Sequence, residues 1–153
     1  MEKDTHVIRN GRIEDIDRLV NLLEQLFSLE KDFTFDEKKQ RNGLQLMLEG
    51  CGKHRAAKVA LHGNKIVGMC TVQTRISTSK GSITGVLEDL IIDEDHRGQG
   101  IGERLLKEIS QWAKQRGIDH LQLLADRNNT PALAFYHLQG WQHTDLVCLT
   151  QDL

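Results

Sequence analysis

The amino-acid sequence predicts a mixed α/β domain, a sheet of about six or seven strands with about four helices packed on it. Two observations lead there. Short β-rich runs between polar turns alternate with segments whose apolar residues fall three and four apart, and Pro131, the single proline, leaves the earlier segments unbroken. The 153 residues, 39% of them hydrophobic, are enough for one domain with one core over residues 1–153.

Each element follows in order. "HVIRNG" reads as a short strand closed by an Asn-Gly turn, and from Asp15 the residues Ile16, Leu19, Val20, Leu23, Leu26 and Phe27 fall at helical spacing. Asp36 to Leu48 predicts a second helix, weakened by Gly43 and ended by "EGCG". "AAKVAL", the turn "HGNK" and "IVGMCTVQTR" read as a hairpin, and "TGVLEDLII" is a further strand after the polar loop "STSKGS". Ile101, Leu105, Leu106, Ile109, Trp112 and Ala113 then lay an apolar stripe along a helix that stops at Gly117. "HLQLLA" is a continuous apolar run, as in a strand buried on both faces. "NNTPALAFYHL" starts a helix with Thr130 as N-cap and Pro131 at the first position, and "TDLVCLT" is the last strand.

Charge and cysteine content exclude several functions. Twenty basic and 22 acidic residues are intermingled, for a net charge of −2, so no basic field exists to hold nucleic acid or an anionic membrane. Cys51, Cys70 and Cys148 are odd in number and widely spaced, which argues against disulfides or a thiolate zinc site and for a reducing compartment. No signal-peptide-like segment opens the chain and no run approaches the roughly 20 apolar residues of a membrane span, so a cytoplasmic protein is expected. The seven histidines lack metal-ligand spacing, and no metal is expected.

The chemistry concentrates in "DEDHRGQGIGERLL". Gly98, Gly100 and Gly102 lie between a strand and a helix, where a bare backbone can approach a ligand and the helix N-terminus offers unpaired N–H groups to a phosphate. Glu103 stands where the dinucleotide fingerprint needs its third glycine, and no Gly-Lys-Ser/Thr of a P-loop is present. Taken alone, the segment also reads as a structural turn. Asp93, Glu94 and Asp95 read as a solvated acidic loop.

Arg97-Gly98-Gln99-Gly100-Ile101-Gly102 resembles the Arg/Gln-x-x-Gly-x-Gly/Ala signature of the GNAT superfamily of acyl-CoA-dependent N-acetyltransferases. "LEDLIIDEDHRGQGIGERLL" looks like that family's fourth strand and third helix, and "NNTPALAFYHLQGW" like its Asn-x-x-Ala-x-x-x-Tyr segment, with Trp141 where Phe is commoner. The match is sharp from Leu87 to Trp141 and agrees in outline before it. The resemblance implies a GNAT-like fold whose parallel fourth and fifth strands splay apart. It also implies acetyl-CoA as co-substrate, its pyrophosphate cradled by the loop from Arg97 to Glu103 and its pantetheine arm paired with backbone at Leu90, Ile91 and Ile92. Asn129 matches a polar residue that hydrogen-bonds that arm, although helix entry explains it nearly as well.

Acetyl transfer to an amine needs a neutral nucleophile, a polarised thioester carbonyl and a proton for the departing thiolate. Tyr136, the only tyrosine, matches the family's proton donor to sulfur, with burial for packing as the plain alternative. Glu88 lies nine residues before Arg97, where small-amine members of the family, the polyamine type among them, carry a strand glutamate. It is the candidate general base, directly or through water, and strand alternation lets only one of Glu88 and Asp89 face the cleft. A small cationic amine is the preferred acceptor, with an amino acid or a peptide N-terminus still open. A catalytically silent acyl-CoA-binding sensor is the alternative function. Dimerisation, common in the family, is left open.

Overall fold

A computed structural model describes residues 6–153, so part of the opening segment read above for a leader lies outside the described residues. The chain runs β1 His6–Asn10, α1 Ile16–Leu29, α2 Glu37–Glu49, β2 Arg55–His62, β3 Lys65–Ser77, β4 Ser82–Ile92, α3 Ile101–Lys114, β5 Leu121–Leu123 and α4 Thr130–Leu138. Short 3-10 turns at Ile13–Asp15 and Glu94–His96 precede α1 and α3.

Local chemistry sets the helix ends. Asp36 caps α2 by accepting from the Lys39 N–H at 3.2 Å. Gly117, at φ 72°, closes α3 in the left-handed region, and the Ile118 N–H turns back to the Ala113 carbonyl at 3.0 Å. At α4 the cap is Asn129, not Thr130: its side chain accepts from the Ala132 N–H at 3.2 Å, which moves Pro131 to the second helical position.

The strands form one sheet in the order β1-β2-β3-β4-β5, antiparallel except for the parallel pair β4 and β5. Strand alternation divides the core between the two faces. On one, Leu19, Leu22, Leu44 and Leu48 of α1 and α2 pack with Val59, Met69 and Ile91. On the other, Leu105, Ile109 and Trp112 of α3 pack with Val67, Val72 and Leu87. Each fully buried Leu or Ile contributes about 1.5–3 kcal/mol by leaving water, so these two clusters hold the helices to the sheet.

Two expectations are corrected. The sheet has five strands among the described residues, not six or seven, because "TDLVCLT" joins no ladder. Leu146 and Leu149 are both 88% exposed, and the Leu146 N–H is taken locally by Thr144 Oγ1 at 3.3 Å. β-Propensity describes fit to a sheet, and without a partner strand the propensity of this segment has nothing to act on. The "HLQLLA" strand is correspondingly short, only half-buried over Leu121–Leu123, and Leu124 is 70% exposed, because β5 is an edge strand.

Candidate functional site

The site begins where β4 and β5 part. They pair only at Gly85–Leu121, Val86–Gln122 and Leu87–Leu123. Gly85 permits that approach, since a Cβ there would lie 2.5 Å from Leu121 Cδ2. Among the described residues, no strand pairs with β4 on this side from Glu88 to Ile92. Its other edge stays paired to β3, at Glu88–Thr71, Ile91–Met69 and Ile92–Gly68.

That ladder contains an irregularity. Between Ile91–Met69 and Glu88–Thr71, the residues Asp89 and Leu90 stand opposite Cys70 alone, a β-bulge. Asp89 adopts φ 54°, the single positive φ of any non-glycine residue described. Strict alternation therefore fails here, and the sequence argument that separated the faces of Glu88 and Asp89 does not hold. Glu88 is exposed. Asp89 is partly covered and accepts from Thr71 Oγ1 at 3.4 Å. Burial pushes its carboxyl up to about 6, Glu88 adds like charge, and Thr71 pulls the other way.

The glycine loop follows directly. Gly98 and Gly100 have φ of 74° and 79°, and a Cβ on either would meet open space. Gly100 is also the N-cap of α3, so the first-turn N–H groups, through Glu103, face outward without helical partners. Gly102 serves a different purpose: a Cβ there would sit 3.2 Å from Phe135 Cζ, so it lets α4 close on α3. Ile101 is buried in the core, while Gln99 is exposed. Arg97 Nε donates to the Ile92 carbonyl at 2.9 Å and ties the loop to the end of β4. Glu103 points outward, with Lys107 Nζ at 3.6 Å.

Asp93 is a further correction. It is 4% exposed rather than solvated, and its carboxylate is paired with Arg18 of α1, which also donates to the Ile66 carbonyl at 2.8 Å. Burial alone would raise its pKa, but the Asp95 N–H and Arg18 outweigh that and hold it below the usual carboxylate value. Charge composition could not have found this pair, because Arg18 and Asp93 lie 75 residues apart.

Tyr136 of α4 packs against the α3-side cluster, as do Leu90 and Ile92 of β4, with the Phe135 ring at 5.3 Å and the Trp141 ring edge-on at 6.0 Å. Burial raises its pKa above the free phenol value, with Cys70 and Glu30 contributing, so it stays protonated at neutral pH. Asn129 lines a pocket of about 190 Å³ with Leu29, Lys31, Asp126, Asn128 and Pro131, where the end of α1 meets the loop before α4. The Lys31 N–H reaches Asp126 Oδ2 at 3.5 Å. Glu30 is held above its ordinary value, first by burial and then by Asp89, Asp126 and Asp32.

Glu88 and Leu90–Ile92 thus lie on the stretch of β4 beyond its pairing with β5, Tyr136 packs against the same core cluster as Leu90 and Ile92, the loop from Arg97 to Glu103 follows β4, and Asn129 lines the pocket beside the end of α1. Glu30 and the bulge at Asp89 were missed. Nothing local to the sequence marks a bulge without glycine, and Glu30 is one acid among several in a polar loop. Among the described residues no helix is long and apolar enough to cross a membrane, and no group of three His, Cys, Asp or Glu could hold a metal.

Comparison with known proteins fits this geometry. Residues 18–141 match the model of the acetyltransferase (GNAT) family. The chain is 25% identical over 137 residues to the aminoalkylphosphonate N-acetyltransferase of Salmonella typhimurium, covering 90% of this chain and 85% of that protein. In fold it is similar to a possible acetyltransferase from Clostridium difficile 630, with a TM-score of 0.83, 17% identity and coverage of 98% and 99% of the two chains. It is also similar to a predicted acetyltransferase with acetyl-CoA from Clostridium acetobutylicum, with a TM-score of 0.75, 22% identity and coverage of 95% and 96%. With the family model spanning most of its length, the chain belongs to the GNAT family and is an N-acetyltransferase that uses acetyl-CoA.

Proposed function

We propose that the protein acetylates the primary amine of a small cationic acceptor by direct attack on acetyl-CoA in the gap between β4 and β5. The observation that carries this reading is the edge of β4 over Glu88–Ile92 that β5 leaves unpaired, followed by the open glycine loop, with Tyr136 packed against the same cluster as Leu90 and Ile92. A strand edge of that length can bond the pantetheine arm as an added strand would, at Leu90, Ile91 and Ile92, while Asn129 keeps its amide N–H groups beyond its cap. Backbone N–H groups from Gly98 to Glu103 suit the pyrophosphate, because nothing occupies the space a Cβ would fill at Gly98 and Gly100.

Direct transfer divides the proton work. Glu88, exposed at the gap, takes the amine proton through water. Tyr136 donates to sulfur as negative charge gathers there. A buried phenol with a raised pKa is a weak acid, so its contribution is a hydrogen bond that strengthens as the C–S bond breaks.

The test is a panel of amines with acetyl-CoA, reading released thiol, in wild type, Glu88→Gln and Tyr136→Phe. Each substitution should lower kcat about 10²-fold, a loss of about 2.7 kcal/mol in transition-state stabilisation, with acetyl-CoA affinity unchanged. A wild-type rate in Tyr136→Phe makes that residue a packing group and refutes the donor step.

A further inference from the structure

The stretch from Gly98 to Gly100 does not place itself. A Cβ at Gly98 or Gly100 would meet nothing within 4 Å and Gln99 is exposed, so the position of this backbone is set by the segments on either side. Behind it, Ile101 is buried and Gly102 lies against Phe135, which fixes the start of α3. In front of it, the short turn Glu94–His96 and Arg97 carry the chain from the end of β4.

That front anchor is held from two elements. The Asp93 N–H donates to the Val67 carbonyl of β3 at 2.7 Å, and the Asp93 carbonyl accepts from the His96 N–H at 2.9 Å. The Asp93 carboxylate, paired with Arg18 of α1, also accepts from the Asp95 N–H at 3.1 Å. One more bond reaches the turn from α1: Gln25 Oε1 accepts from the Glu94 N–H at 3.2 Å.

The spacing along α1 is informative. Arg18, Leu22 and Gln25 fall at i, i+4 and i+7 on one face of the helix, and Leu22 is fully buried in the cluster that includes Ile91. Arg18 and Gln25 are thus about 10.5 Å apart along the axis, one holding the residue before the turn and the other its first residue. Fold stability does not require the second hold. Glu94 is exposed, so water can satisfy its N–H. What a side-chain bond adds over water is position.

Resting on the reading that the loop from Arg97 to Glu103 holds the CoA pyrophosphate, we infer that Gln25 is a positioning residue for CoA. By accepting from Glu94 it sets, together with Arg18, the course of the turn and hence the direction in which the loop N–H groups point. Arg97, bonded to the Ile92 carbonyl, passes that course on to Gly98. A loop already held in its binding conformation loses less entropy when the cofactor arrives. The same helix ends at Leu29, one turn beyond Gln25, in the wall of the pocket that Asn129 lines, so a single rod spaces the loop from that pocket.

The test uses Gln25→Met, which keeps the length and helix propensity of the side chain and removes the amide acceptor. Its Tm should stay within about 2 °C of wild type, as for a substitution near the surface. Calorimetric titration should show CoA bound about 3- to 10-fold more weakly, the range for one lost hydrogen bond. Hydrogen exchange should quicken over residues 94–100 and keep its wild-type rates in β3 and α3, a local signature that a general loss of stability would not give. Gly100→Asn, measured beside it, separates this inference from the reading beneath it. Weaker CoA binding in Gly100→Asn with wild-type affinity in Gln25→Met overturns the role of Gln25 and leaves the cradle standing. Wild-type affinity in both variants overturns the cradle and the inference together. Unchanged exchange over residues 94–100, or a Tm lowered by more than about 5 °C in Gln25→Met, makes Gln25 an ordinary residue of the fold and overturns the positioning role.

Discussion

Gly100 carries two loads that substitution can separate. Its φ of 79° places it in the left-handed region, and a Cβ there meets nothing within 4 Å. Strain in the free protein therefore comes from the backbone, not from a clash. Valine, β-branched and the worse for positive φ, should cost about 1–2 kcal/mol, or roughly 2–8 °C in Tm for a chain of this size. Asparagine tolerates the same conformation and should cost much less. Both side chains, however, project into the space assigned to the pyrophosphate. Losing even one charge-assisted hydrogen bond there, at about 1.5–3 kcal/mol, weakens CoA binding roughly 10- to 100-fold. Thermal unfolding and calorimetric titration of CoA into wild type, Gly100→Val and Gly100→Asn read the two effects separately. CoA binding as tight in both folded variants as in wild type would refute the cradle.

Two further substitutions test the frame around the site. Arg18→Met leaves Asp93 buried without its partner and should destabilise the fold by about 3–5 kcal/mol at pH 7, read by urea unfolding. Because the folded pKa of Asp93 is depressed, its stabilisation is present above about pH 4 and is lost as pH falls through the folded value; the gap between wild type and Arg18→Met should therefore narrow below pH 4, and an unchanged gap rejects the pairing. Gly102→Ala requires Phe135 to move by a few tenths of an ångström and should lower stability by about 1 kcal/mol while leaving CoA affinity intact; a large loss of affinity would return Gly102 to the phosphate cradle.

What the sequence made legible was whatever depends on near neighbours. The stripe from Ile101 to Ala113 repeats within each helical turn, and Gly117 ends it by its own conformational freedom, so α3 needed no knowledge of the rest of the chain. The glycine hexapeptide was legible as a loop, yet its three glycines answer different demands, and only the packing of Phe135 separates Gly102 from the other two. Where the outcome depended on distant residues, local reading failed. "TDLVCLT" has strand composition but no strand beside it, and Asp93 looked solvated until Arg18 was brought to it. The bulge is the sharpest case. "LEDLII" alternates well enough to read as regular β, and the extra residue is fixed by the register of β4 against β3, over pairs that no local pattern encodes. Sequence rules fail most informatively where a structure holds an arrangement that they penalise. Asp89 is such a place, with a left-handed backbone and a partly covered carboxyl whose charged form burial disfavours and the Thr71 hydroxyl favours.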